Sequence, residues 1–288
     1  MAIRKLLLPL TGTAAGEAAL ATALMAAQRW QAHLTALHVR GDSRDVAHMA
    51  GEGLSGAMIE EMMSATERES GRRAEAVRAM FDRFVAEHQV EVAPARPGQR
   101  TASAAFTTVT GREDDRVAQQ ARLADVTVVP HPDASEDVSS SDALHAVLFD
   151  SGRPVLISPL VAPTSLGERI CLAWSGTAES AAAARYAIPW MQRAAEVTIL
   201  NSKEYQRRGP SALELAEYLA LHDIQAKHAG FGAVDREVGA GMLAAAHAVG
   251  ADMLVMGAYS SSRLRQLILG GVTRYVLEKA DLPVLMCR

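Results

Sequence analysis

Short apolar runs alternate along the chain with stretches in which apolar residues recur at helical spacing. Residues 3–10, Ile-Arg-Lys-Leu-Leu-Leu-Pro-Leu, read as a first strand. Thr11-Gly12-Thr13 then turns into an Ala-rich helix through Arg29, and 34–39 is a second strand. This strand, loop, helix, strand order opens a parallel doubly wound sheet, a design that binds ligands beyond the carboxyl ends of its strands. No proline occurs over 52–88, where Met58, Ile59 and Met62, then Val77, Phe81, Phe84 and Val85, keep helical spacing on either side of Gly71. That pattern predicts one broken helix or two stacked ones. A methionine stripe at this spacing is read as core rather than as an adaptable binding face, and Glu69 and Arg73 as a solvated face. Residues 90–100, with Pro94 and Pro97, are irregular; 106–109 is a strand ending at Gly111, and a helix from Asp114 or Asp115 through Leu123 leads to a strand at 125–129.

The closing elements occur twice. A short helix at 142–150 and a strand at 153–157 precede Pro159 and Pro163, and a second series follows. It comprises a strand at 169–174, an Ala-rich helix to Met191, a strand at 197–200, a helix at 210–222, a strand at 224–228 and a helix bearing Val238, Met242, Ala245 and Val249. Ala124-Asp125 matches Ala251-Asp252, and Pro154-Val155-Leu156 matches Pro283-Val284-Leu285, at offsets of 127 and 129. Thr11-Gly12-Thr13 matches Ser175-Gly176-Thr177 at an offset of 164, so the first copy is longer in its middle. The chain is an internal duplication: a first domain over 1–160, a linker at 161–167 and a second domain over 168–288.

The second copy ends in the stretch with the most chemical content. The apolar run 253–256 stops at Gly257, and 257–262 has the small, polar composition of a loop. Leu264, Leu267 and Ile268 share a helical face. After Gly270-Gly271, residues Val272, Tyr275, Val276 and Ala280 repeat at helical spacing, and 283–286 is a final strand led by its proline. A glycine loop between a strand and a helix start gathers free backbone N–H groups and the positive end of a helix dipole where a phosphate would sit. The competing reading is a tight turn that binds nothing.

Composition removes several classes. With 288 residues, 49% hydrophobic and 22% charged, the chain can bury two ordinary cores. A formal net charge of −4 gives no global attraction to nucleic acid or to an anionic membrane. The basic, then apolar start resembles a secretory signal, but Pro9, Gly12 and Glu17 interrupt it, and no stretch approaches a membrane span. The expectation is a cytoplasmic protein with no nucleic-acid partner. Cys171 and Cys287 lie in predicted strands, and neither they nor the nine histidines are spaced as a closed zinc site, so no metal is expected.

Gly257, two residues, Ser260, nine residues, then Gly270-Gly271, followed by Val-Thr-Arg-Tyr-Val-Leu and Leu-Pro-Val-Leu, resembles the ending of universal stress proteins. There the pattern is Gly, two residues, Gly, nine residues, Gly, then Ser or Thr, and it wraps ATP phosphates in the nucleotide-binding members. Ser260 stands here for the second glycine and Gly271 for the hydroxyl residue. The resemblance extends over nearly the whole chain and implies a tandem of two Rossmann-like domains of the adenine nucleotide alpha hydrolase-like type. Each would be a five-stranded parallel sheet of order 3-2-1-4-5, the two packed as a pseudo-dimer through the proline-led strands. It also implies an adenine-nucleotide site, for ATP or AMP, in the second half. The loop Ser175-Gly176-Thr177, the backbone at Leu200 and Asn201, and Gly257, Ser260, Gly270, Gly271, Val272 and Thr273 would form it. Nucleotide-binding members carry an acidic residue where Ser175 stands. The implied strand order puts another strand between those of Cys171 and Cys287, so both are expected as free thiols.

In the first half Pro130 occupies the place of the first loop glycine, and His131-Pro132-Asp133-Ala134-Ser135-Glu136-Asp137 is an acidic loop that repels phosphate, so this half reads as having lost the site. The expected function is that of a non-catalytic, stress-response regulatory protein with a weak nucleotide site and no catalytic residue. The alternative is an interaction protein whose pocket is vestigial or takes another small ligand; association into homodimers stays open. An enzyme reading rests on Ser175-Gly176-Thr177-Ala178-Glu179-Ser180, which distantly echoes the loop of N-type ATP pyrophosphatases but lacks its second glycine. No Gly-x-Ser-x-Gly elbow supports a hydrolase.

Overall fold

The computed structural model describes residues 2–42, 55–132, 142–259 and 271–288. In the first half these are β1 (Lys5–Pro9), α1 (Ala14–Trp30), β2 (His33–Arg40), α2 (Gly56–Glu87), β3 (Glu91–Val92), β4 (Ser103–Thr110), α3 (Glu113–Ala121), β5 (Val126–Val129), α4 (Asp142–Asp150) and β6 (Val155–Ile157). The second half has β7 (Arg169–Ala173), α5 (Ala178–Met191), β8 (Glu196–Asn201), α6 (Ala212–Ala220), β9 (Ala226–Gly230), α7 (Val238–Ala248), β10 (Met253–Gly257), α8 (Gly271–Lys279) and β11 (Val284–Cys287).

The described strands lie in one sheet of order β3-β4-β2-β1-β5-β6-β11-β10-β7-β8-β9. Within each half the neighbours run parallel in the expected 3-2-1-4-5 order, and the two proline-led strands meet in the middle. There β6 and β11 pair antiparallel, Val284 opposite Ile157, Leu285 opposite Leu156 and Met286 opposite Val155. Each of these two strands thereby covers an edge that the other half would leave open. The first half departs from five strands: Glu91–Val92, inside the stretch read as irregular, adds a short parallel edge strand beside β4.

The strands are apolar on both faces because helices cover both. One face packs α1, α2, α5 and α6 on residues such as Leu6, Leu8, Ile170, Leu172 and Leu285. The opposite face packs α3, α4, α7 and α8 on Leu7, Val129, Cys171, Leu254 and Met286. Helix starts follow the sequence: Thr13 and Thr177 accept hydrogen bonds from the N–H groups of Gly16 and Ser180, and Ser211 with Glu214 completes a capping box. Across the junction Trp30 meets Trp190 edge-on at 5.2 Å, Arg193 lies over the Trp30 ring, and Arg29 pairs with Glu168 while donating to the Gly167 and Arg193 carbonyls.

Two expectations need correction. The segment around Gly71 is one unbroken helix of 32 residues, capped by Ser55, because a single glycine costs only about 1 kcal/mol and the last turns are anchored by Val77, Met80, Phe81 and Val85. The methionine stripe is not core, since Met58 is 50% and Met62 is 44% exposed on turns that extend beyond the body. The predicted face of Leu264, Leu267 and Ile268 lies outside the described residues.

Candidate functional site

Sheet order reverses direction between β7 and β10. The loop after β7 leads to α5 on one face, while α8, the helix that follows β10 in the chain, lies on the other, so their carboxyl ends open a crevice at a topological switch point. Gly257 closes the base of this crevice against the start of α5. A Cβ there would lie 2.5 Å from the Ser180 nitrogen and 2.6 Å from the Glu179 carbonyl carbon, so only glycine fits.

On the β7 side, Ser175 is buried and its hydroxyl lies 3.2 Å from that of Thr177. Gly176 adopts φ +78°, a left-handed conformation suited to glycine. The segment between β8 and α6 is folded down on this loop. Arg207 N–H donates to the Ser175 carbonyl at 2.7 Å, and Trp174 Nε1 donates to the Pro210 carbonyl at 2.8 Å. Gly209 lies so close that a Cβ on it would be 2.0 Å from the Gly176 oxygen. Within that segment Tyr205 is only 8% exposed and packs 6.0 Å from Phe231, with burial pushing its phenol up to about 12 against the opposing hydrogen bond with Ser175.

Of the residues predicted for the site, Ser175, Gly176, Thr177, Asn201 and Gly257 lie at the carboxyl ends of the adjacent strands β8, β7 and β10. Leu200 is fully buried, and its carbonyl accepts from Trp174 N–H; the Asn201 carbonyl accepts from Phe231 N–H, so both acceptors already serve the sheet. Gly271, Val272 and Thr273 form the first turn of α8, with Thr273 buried, Val272 half-buried and Gly271 exposed. A Cβ on Gly271 would meet no atom of the described residues within 4 Å. Ser260 and Gly270 lie outside the described residues, as does most of the acidic first-half loop.

Sequence reasoning missed Tyr205 and Tyr259. A lone aromatic in Ser-Lys-Glu-Tyr-Gln-Arg-Arg-Gly was the available signal for the first, but no periodicity marks it as buried. Tyr259 follows the end of β10 with φ +57° and reaches the other half, its hydroxyl 3.1 Å from His145 Nε2 and its ring 5.1 Å from Phe149. Burial pushes this phenol also up to about 12.

Among the described residues no group of three or more His, Cys, Asp or Glu side chains could hold a metal ion. No helix among them is long and apolar enough to cross a membrane. Cys171 and Cys287 are free and buried, belong to the clusters on opposite faces of the sheet, and have β10 between their strands.

The family model described as "Universal stress protein family" matches residues 167–288. No curated protein matches the chain. Among solved structures, a universal stress protein from Archaeoglobus fulgidus DSM 4304 is similar with a TM-score of 0.70 and 16% identity, over 99% of this chain and 98% of that one. A functionally unknown protein, PA1789 from Pseudomonas aeruginosa PAO1, is similar with a TM-score of 0.54 and 15% identity, over 99% and 92% of the two chains. At these identities the likeness is one of fold. The second half therefore matches the universal stress protein family, and the whole chain shares its fold with the Archaeoglobus fulgidus universal stress protein.

Proposed function

We propose that this protein is a non-catalytic, cytoplasmic stress-response regulator whose second domain, 168–288, takes an adenine nucleotide, ATP or AMP, with low affinity. The first domain, 1–160, joined by the linker 161–167, serves as its permanent pseudo-dimer partner. The observation that carries the reading is the crevice at the switch point, where Ser175, Gly176, Thr177, Asn201 and Gly257 meet beside the N-terminal turn of α8. A phosphate there would meet free N–H groups and the positive end of a helix dipole. Low affinity follows from three features. Ser175 supplies no carboxylate, Gly271 supplies no hydroxyl, and the segment carrying Tyr205 already packs on the Ser175 loop. A nucleotide entering beside Ser175 displaces some of that packing, which costs part of its binding energy.

Mass spectrometry of small molecules released from natively purified protein, paired with calorimetric titration of ATP and AMP, tests the proposal. Weak, saturable ATP binding is the expected result. Absence of heat with either nucleotide, together with release of a different small molecule, refutes it in favour of a pocket for another ligand.

A further inference from the structure

A second cavity, of about 460 Å³, opens in the first half between the end of β2 and the middle of α2. Its walls include His38, Arg40, Thr66, Glu69, Ser70 and Arg73. It belongs to the sheet face that packs α1 and α2, the side of Leu34 and Ala36, whereas Leu37 belongs to the opposite cluster. The extension that makes α2 32 residues long supplies one wall, with Thr66, Ser70 and Arg73 spaced along one helical stripe.

The polar groups are held in a definite arrangement. Arg40 donates through Nε to the Ser70 hydroxyl at 3.2 Å, and among the described residues that is its one side-chain hydrogen bond, so both terminal nitrogens stay available. The Arg73 side chain makes no hydrogen bond or ion pair among the described residues. His38 is buried, with Nδ1 3.0 Å from the Leu10 carbonyl and its ring stacked 6.4 Å from Phe106. With Nδ1 donating to that carbonyl, Nε2 of the neutral ring is an acceptor. Two guanidinium groups outweigh the single carboxylate of Glu69, and a guanidinium fixed at Nε presents a forked edge suited to a planar or tetrahedral anion. The volume is that of an ordinary small-molecule site.

We infer that this cavity binds a small metabolite carrying a phosphate or carboxylate group, with Arg40 and Arg73 on the anion and His38 accepting from a hydroxyl or amine of the same molecule. The site is independent of the proposed nucleotide crevice, which lies in the other half.

The test uses the full chain with pyrophosphate and citrate as separate probes, following the His38 ring signals by NMR alongside calorimetry. Saturable binding of one probe, with a shift of the His38 resonances, is expected, and the probe that binds distinguishes phosphate from carboxylate. Arg40→Gln combined with Arg73→Gln should weaken it at least about tenfold, the usual loss for charge-assisted hydrogen bonds, with unchanged circular dichroism and melting temperature. Leu221→Ala, on the surface of the other half, should leave it unaltered. No saturation with either probe up to about 10 mM, a range that covers even weak metabolite sites, would overturn the inference. So would a His38 shift that survives the double substitution, or saturation with both pyrophosphate and citrate that leaves His38 unshifted.

Discussion

Restoring a hydroxyl at Gly271 is the sharpest perturbation of the proposed nucleotide site. Gly271 opens α8, and a Cβ there meets nothing within 4 Å among the described residues, so Gly271→Ser introduces no clash with them. The helix itself gains slightly, by about 0.5 kcal/mol, because serine loses less backbone entropy than glycine. A hydrogen bond from a hydroxyl to a charged phosphate contributes about 1.5–3 kcal/mol. Gly271 is exposed, so water competes for that bond and the lower end applies, which is about a tenfold gain in affinity. Calorimetric titration of ATP and AMP into wild type and variant measures it, with ATP expected to gain more because its longer phosphate chain reaches further toward the helix start. Unchanged or weaker ATP binding by a variant that melts at or above the wild-type temperature would refute the placement of phosphate at this turn.

Other consequences follow from the junction and from the buried thiols. Trp190→Ala should destabilise the chain by about 3–5 kcal/mol, the usual cost of emptying a fully buried aromatic site, since Trp190 packs edge-on against Trp30 and lies under Gly167. Urea unfolding should keep one transition because a single sheet runs through both halves, whereas Leu221→Ala, 83% exposed, should change stability by less than about 0.5 kcal/mol; two separated transitions would contradict the continuous core. Burial pushes Cys171 from 9.0 up to about 12 and raises Cys287 as well; at pH 8 that leaves roughly one Cys171 thiolate in ten thousand, so a thiol reagent should label the protein only as fast as it unfolds. A raised thiol stabilises the fold fully below the unfolded value near 9.0 and loses that contribution as pH rises toward 12, so the denaturation midpoint should fall above pH 9, and a midpoint that is flat from pH 8 to 11 would count against it.

The strands themselves were legible because parallel strands buried on both faces must be nearly continuous apolar runs, and runs such as Leu6–Leu8 and Met253–Met256 have that form, whereas their order in the sheet came from the family resemblance. The pairing of β6 with β11 could be anticipated from the repeated Pro-Val-Leu, but only through family resemblance, since a helix covers a sheet edge as well as a strand does. The exposure of Met58 and Met62 was not legible. Periodicity reports which residues share a face of α2 and says nothing of whether another element lies opposite that face. The strap over Ser175 escaped for a related reason, because its contacts are backbone to backbone, Arg207 to Ser175 and Gly209 against Gly176, and such contacts leave little trace in side-chain pattern.

The glycines of the loop motif differ in what they demonstrate. Gly257 is required by packing alone, because the backbone of Glu179 and Ser180 leaves no room for a Cβ, and it would be kept in a domain that binds nothing. Gly176 is required by its left-handed backbone and by the approach of Gly209 and Gln206, again without a ligand. Gly271 has open space and no positive φ, so neither packing nor backbone strain explains a glycine there. Ser175 likewise faces Tyr205, a group supplied by the chain itself. Evidence for or against a nucleotide must therefore come from positions the fold leaves free, and Gly271 and Ser175 are where this chain departs from the nucleotide-binding pattern. That is why the substitution at Gly271, and not one at Gly257, separates a weakened site from a site retained only as architecture.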